Sequence, residues 1–250
     1  MKKSGQNTEI VGDVRSISFI VPAWNEESIL GPTIDAIKSA ARQLAVTSEI
    51  IVADDSSTDQ TADIAVEHGA RVVRVQHRQI AAARNAGAKQ AHGDVLFFVD
   101  ADTLINEEVV QAAIGCVRQG AVGGGCRFQF DGRIPLYARI LEAMAVRLYR
   151  FVGIAGGCFL FCTREAFDRV NGFDAQLYAA EEGAMSLALR RLGKFVILRE
   201  SVRTSGRKLR TCSLREILTP IARIVFHGTR YLRNRHGMEI WYGDRRPDHN

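Results

Sequence analysis

Residues 94–102 read DVLFFVDAD: an unbroken apolar run from Val95 to Val99 that stops abruptly at an acid-x-acid turn. A strand with one wet face alternates apolar and polar residues. A run without alternation fits a strand buried on both faces, as in a parallel sheet covered by helices. Earlier segments repeat the design. Ile17 to Val21 (ISFIV) ends at Pro22, Glu49 to Ala53 (EIIVA) runs into the acidic, hydroxyl-rich DDSSTD, and Arg71 to Val75 is a further short strand. Between the first two, Leu30, Ile34, Ile37, Ala41 and Leu44 recur at three- and four-residue spacing, one face of a helix. Helices are expected at 60–67 and 81–91. This alternation implies an α/β fold with a mostly parallel central sheet and flanking helices.

Beyond Asp102 the alternation loosens. The pattern predicts a helix at 106–118, a strand at 121–130, an amphipathic helix at 134–152 and a strand at 157–162. A helix at 181–192 and a strand at 194–198 follow. A long C-terminal amphipathic helix is expected from Ser213 to Arg235, with Leu214, Ile217, Leu218, Ile221, Ile224 and Val225 on one side. The expected organisation is a flexible tail (1–15), one large unit (16–212, divided near 102) and a C-terminal helix with a basic tail (213–250).

Composition is that of a soluble globular protein: 250 residues, 46% apolar, 24% charged. The net charge of +5 is concentrated in 203–210 (RTSGRKLR) and 230–246, which suits a polyanionic ligand or an acidic membrane surface as well as plain solvation. Cys116, Cys126, Cys158, Cys162 and Cys212 form neither a CxxC pair nor a zinc-like set with histidine. Their odd number and the lack of a signal peptide point to a reducing cytosol. No stretch reaches the roughly 18 apolar residues that span a bilayer. A cytoplasmic protein is expected, with peripheral contact at the inner membrane surface left open.

Two acidic clusters lie just after apolar strands: Asp54 and Asp55 after EIIVA, Asp100 and Asp102 after DVLFFV. Ligands of open α/β sheets bind outside the carboxyl ends of strands, so both clusters are expected at one crevice. In extended chain the i, i+2 spacing of Asp100 and Asp102 points both carboxylates one way. Convergent carboxylates without histidine or thiolate suit a hard divalent ion, Mg²⁺ or Mn²⁺, which completes its shell with substrate phosphates.

SFIVPAWNEESI, EIIVADDSSTDQT, AAARNAGAKQAHGDVLFFVDADT and GGCFLF…NGFD…AEEGAMSLALRRLG, in that order over roughly 16–200, resemble the successive blocks of the family 2 glycosyltransferases. The resemblance implies a GT-A fold with a Rossmann-like nucleotide half. It implies inverting transfer of a sugar from a UDP-, dTDP- or GDP-linked donor to a hydroxyl, with a lipid-linked acceptor as one option. Position by position, Pro22, Ala23 and Glu26 would line the nucleotide pocket, and Asp54 or Asp55 would bond the base. Arg84 would hold the nucleotide, Asp100 would lie near ribose and metal, and Asp102 would be the principal metal ligand. The segment Ala180-Glu181-Glu182-Gly183 matches the block whose second acid is the general base. Here Glu182 stands where the family has aspartate, which leaves Glu181 and Glu182 both in play. Many relatives carry a histidine metal ligand after the final strand; this chain has Val202 to Lys208 instead, so Arg207 and Lys208 would neutralise the diphosphate.

A sugar nucleotidyltransferase would share the fold but normally carries a glycine- and arginine-rich loop after the first strand, and PAWNEES has no glycine. A Rossmann dehydrogenase fails for want of GxGxxG. A catalytically altered nucleotide-sugar-binding protein of the same fold is the remaining alternative. Nucleic acid is not an expected partner, because no basic motif is interleaved with aromatics.

Overall fold

The computed structural model describes residues 13–243. Eight strands form one mixed sheet, β1 (Ser16–Ala23), β2 (Thr47–Asp55), β3 (Arg71–Val75), β4 (Val95–Val99), β5 (Thr103–Leu104), β6 (Ala121–Phe130), β7 (Phe159–Thr163) and β8 (Lys194–Thr204), in spatial order β3-β2-β1-β4-β7-β6-β8-β5. The first four strands pair in parallel. β7 runs antiparallel between β4 and β6, and the parallel pair β6–β8 is capped by antiparallel β5. The expected helices are α1 (Leu30–Ala41), α2 (Thr61–Glu67), α3 (Ile80–Gln90), α4 (Glu107–Arg118), α5 (Leu136–Val152) and α7 (Glu181–Leu192).

Both faces of the sheet are buried, as unalternating strands require. Phe19, Phe97, Phe159 and Phe161 stack on one face, with Phe19 and Phe97 5.1 Å apart between ring centres. Ile20, Ile51, Leu96 and Phe98 face the other, where Phe173 meets Phe98 edge-on at 4.8 Å. Gly87 lets α3 lie directly on β1, since a Cβ there would come 2.6 Å from Ile20 Cγ2.

The topology places the functional crevice. β2 and β3 build outward from one side of β1, whereas β4 lies on its other side. Strand order therefore reverses between β1 and β4, the switch point at which open α/β sheets bind ligands.

Three expectations are corrected. The long C-terminal helix is broken: α9 (Leu214–His227) ends at Gly228, which takes φ 54°, and short helices α10 (Thr229–Leu232) and α11 (Glu239–Tyr242) follow. Glycine enters that backbone region without a steric cost, and the pattern of apolar residues gave no warning of it. Ile217 is buried while Leu214 and Leu218 are exposed, and the side chains of Ile221 and Val225 lie outside the described residues. The last strand runs on to Thr204, so only Ser205 and Gly206 separate β8 from α8 (Arg207–Thr211). The short elements α6 (Arg164–Arg169), α8, α11 and β5, without amphipathic length, had no counterpart among the expected elements. Most of the expected N-terminal tail (1–12) and the end of the basic tail (244–250) lie outside the described residues. Arg15 is anchored, donating its N–H to Asp94 at 2.9 Å.

Candidate active site

A cavity of about 450 Å³ opens at the switch point. Pro22 and Ala23, where β1 ends, form one wall with Glu26. Asp55 enters from the end of β2, Asp100 and Asp102 from the end of β4, Arg84 from α3, and Glu181 and Glu182 from the first turn of α7. Lys208 of α8 closes another side. The two DxD carboxylates reach the cavity by a turn, not by extended chain: the N–H of Thr103 donates to Asp100 O at 3.1 Å. Ala101, between them, is buried, and its carbonyl accepts from Thr33 of α1 at 2.8 Å.

Arg84 organises the floor. Its side chain is 2% exposed. One terminal nitrogen donates to Asp100 (2.8 Å) and to the carbonyl of Gly157 (3.0 Å). The other donates to Glu181 (3.1 Å) and Glu182 (2.7 Å). The guanidinium thus faces carboxylates and a backbone carbonyl of its own chain. Burial alone would lower its pKa; Glu182, Asp100 and Glu181 outweigh that and raise it. A rigid, permanently charged fork suits this junction better than lysine would.

Three carboxylates on one cation leave the cluster electronegative. Glu181 is the most deeply placed, and its pKa is raised by burial first and then by Glu182, against the pull of Arg84. Glu182 is less enclosed and sits against Gly157, where a Cβ would lie 3.1 Å from its Oε1. Ala180 precedes both acids at φ 59°, a left-handed conformation uncommon for a residue with a Cβ. That bend starts α7 so that both acids occupy its first turn, where anionic side chains are favoured.

Asp102 is half-buried, and its pKa is pushed up to about 6 by burial, with Asp100 and Glu26 adding to the rise and Lys208 and Arg207 opposing it. Arg207 donates to Glu26 at 2.9 Å, and both are buried. The basic pair is therefore split: Arg207 braces Glu26 of the first wall, and Lys208 faces the cavity. Among the described residues no group of three or more His, Cys, Asp or Glu is arranged to hold a metal. Asp100 and Asp102 remain an oxygen-donor pair.

The other acidic pair is divided by strand alternation. Asp55 accepts backbone N–H bonds from His77 (2.7 Å), Arg78 (2.8 Å) and Gln79 (2.8 Å), fixing the loop that leads into α3. Asp54 accepts from the N–H of Ser57 at 3.2 Å and lines a separate cleft with Ser56, Asp59 and Arg74. Only Asp55 is brought to the cavity of Asp100 and Asp102.

Several lining residues had no signal in the sequence pattern. The Arg78 guanidinium lies 3.5 Å over the Trp24 ring. Tyr149 of α5 and Tyr178 line the cavity, and the C-terminal segment folds back so that Trp241 and Tyr242 line it too. The N–H of Tyr178 donates to Leu232 O at 2.7 Å, and Tyr242 meets Tyr178 edge-on at 5.7 Å. An aromatic pair in a four-residue helix has no periodicity to betray it.

Comparison with known proteins agrees with this architecture. Residues 18–170 match the model of Glycosyl transferase family 2. A dolichol-phosphate mannosyltransferase of Pyrococcus furiosus is 28% identical over 176 residues, 67% of this chain and 47% of that protein. A 4,4'-diaponeurosporenoate glycosyltransferase of Staphylococcus haemolyticus is 38% identical over 120 residues, 45% of this chain and 29% of its own. The chain thus spans less than half the length of either relative. Among solved structures, glucosyl-3-phosphoglycerate synthase of Mycobacterium tuberculosis, in complex with Mn²⁺, UDP and glucosyl-3-phosphoglycerate, superposes with a TM-score of 0.57 at 25% identity, covering 94% of this chain and 82% of that one. The match to the family model extends from β1 through β7 and takes in the ends of β1, β2 and β4 that build the cavity, and on it this chain belongs to the family 2 glycosyltransferases.

Proposed function

We propose that the protein transfers a sugar from a nucleoside-diphosphate sugar to an acceptor hydroxyl, with help from a divalent cation and with inversion at the anomeric carbon. The observation that carries this reading is the convergence of Asp100, Asp102, Glu182 and Lys208 on one cavity at the sheet's switch point. Three solved structures of two similar proteins support the donor class: one protein in complex with UDP and with UDP-GlcNAc, the other with UDP and Mn²⁺.

Asp102 and Asp100 fit a hard divalent ion by donor chemistry: both offer oxygen only, and Asp102 sits where its own charge is costly without a nearby cation. When bound, such an ion offsets the charge that grows on the departing diphosphate. Lys208 supplies a further positive charge on the same side, and Arg207 steadies Glu26 against the wall meant for the nucleotide. Asp55 holds the 77–79 loop in shape, so its part in base binding is to present that loop. Arg84 acts on the nucleotide indirectly, by orienting Asp100 and the α7 acids.

Of the two glutamates, Glu182 is the proposed base. A general base must be ionised in the complex. Glu181, fully enclosed and with its pKa raised, keeps its proton more readily. Glu182 stands closer to the opening and accepts from Arg84 at 2.7 Å, which steers its carboxylate while leaving the second oxygen to face an acceptor hydroxyl.

Calorimetry of nucleoside-diphosphate binding with and without Mn²⁺, on wild type and Asp102→Ala, tests the reading. The metal-dependent gain in affinity is expected to vanish in the variant, with transfer slowed at least about 100-fold. Full turnover by Asp102→Ala would sink the assignment.

A further inference from the structure

Helix α5 has two faces with different fates. Tyr149 lines the cavity, and its hydroxyl pKa is raised by burial and by the charge of Glu182. On the far side Leu136, Ile140, Met144, Leu148 and Phe151 fall on one stripe, and each is between 54% and 88% exposed. Spacings of four and three keep such residues within about a third of the helix circumference. Isolated exposed apolar residues are ordinary, but a continuous row along about 25 Å of helix marks a surface that is covered in use.

Charge says by what. Arg139 and Arg147 are exposed on the same helix, and Arg133 is exposed just ahead of it. The one acid of the helix, Glu142, turns inward and accepts the N–H of Phe130 at 3.4 Å. The exposed charge of α5 is therefore basic throughout. Two copies laid stripe to stripe would bring these arginines together without a facing acid, so self-association is disfavoured. A bilayer carrying anionic headgroups meets both demands, taking the apolar row below its headgroups and the guanidiniums among them. We propose that α5 docks on an anionic membrane surface. The docking itself does not depend on the proposed transfer reaction.

Co-sedimentation with vesicles of phosphatidylcholine alone, and of phosphatidylcholine mixed one to one with phosphatidylglycerol, tests the proposal. Wild type should pellet with the mixed vesicles and stay in the supernatant with the neutral ones. The double variant Ile140→Asp, Phe151→Asp should lose at least about tenfold in partitioning, the scale set by two large apolar side chains kept in water. Both positions are exposed, so circular dichroism and nucleotide binding should match wild type. Arg139→Gln with Arg147→Gln should weaken partitioning on mixed vesicles by roughly fivefold per charge removed. The proposal is overturned if wild type ignores mixed vesicles. It is equally overturned if light scattering shows a dimer that the aspartate variant dissolves while vesicles leave wild type in solution, for the stripe then belongs to a second copy. Loss of transfer with vesicle binding intact would count against the catalytic reading alone.

Discussion

Replacing Arg84 by methionine removes one cation from beneath three carboxylates and keeps most of the apolar stem. The guanidinium makes four hydrogen bonds, to Asp100, Gly157, Glu181 and Glu182, from a position 2% exposed. Removing one partner of a buried ionic cluster costs about 3–5 kcal/mol, because the charges left behind are desolvated and unpaired. With about 3 kcal/mol/M at the upper end of urea slopes, the unfolding midpoint should fall by about 1 M or more near neutral pH. The deficit must also depend on pH, with a definite sign. Glu181 already has a pKa above its unfolded value, so its burial is best tolerated below the ordinary carboxylate range, and stability is lost as pH rises through the raised folded value. Without Arg84 that value rises further, so the gap between variant and wild type should widen as pH rises above about 8, where wild-type Glu181 ionises and the variant's stays protonated. Urea titrations at several pH values measure this directly. A deficit that is flat with pH, or below about 1 kcal/mol, would refute the idea that Arg84 is held chiefly by the three acids.

Glu182→Gln should slow transfer roughly 100- to 10,000-fold with donor affinity little changed. Glu181→Gln should retain most activity and resist urea better than wild type above neutral pH, since it deletes the acid whose charged form is penalised; exchanged roles in a turnover assay would make Glu181 the base. Asp55→Ala should weaken nucleoside-diphosphate binding and destabilise the protein by about 1–3 kcal/mol, because three backbone amides lose a buried acceptor, whereas Asp54→Ala should bind nearly as wild type does in calorimetry. Gly157→Ala, which drives a methyl towards the Glu182 carboxylate, should lower turnover more than donor affinity; unchanged kinetics would mean that Glu182 moves freely.

The first half of the fold was legible because β1, β4 and the end of β2 are buried on both faces and its helices on one, and those two kinds of burial write different periodicities. Val95 to Val99 and Ile17 to Val21 fit strands buried on both faces, and they are β4 and the core of β1. The antiparallel insertion of β7 between β4 and β6 was not legible, because Phe159 to Cys162 is as apolar as any parallel strand and carries no mark of direction. The break in the C-terminal helix depended on one glycine among residues that otherwise kept the helical period. The C-terminal aromatics were hidden for a simpler reason, that four-residue helices are too short to show a period at all.

The site divides along the same line. That the ends of β2 and β4 share a crevice was readable from their place at a switch point, and Asp55, Asp100 and Asp102 line it; Asp54, expected there too, lines a separate cleft. What holds them was not. A carboxylate beside an arginine in three dimensions leaves no trace in the order of residues when the partners are 97 and 98 positions apart, as Arg84 is from Glu181 and Glu182. The family resemblance implied that Arg84 holds the nucleotide; the structure pairs it with Asp100, Glu181 and Glu182. Under the proposed reaction this has a chemical consequence: with Arg84 engaged, Lys208 on the α8 side of the cavity would be the side chain that adds positive charge for the leaving group beside the divalent ion. In that proposal the donor diphosphate would lie towards Asp102 and Lys208, and the α7 acids would be left for the acceptor. A single buried arginine, bonded to Asp100 on one side and to Glu181 and Glu182 on the other, would thereby separate the two halves of the proposed reaction.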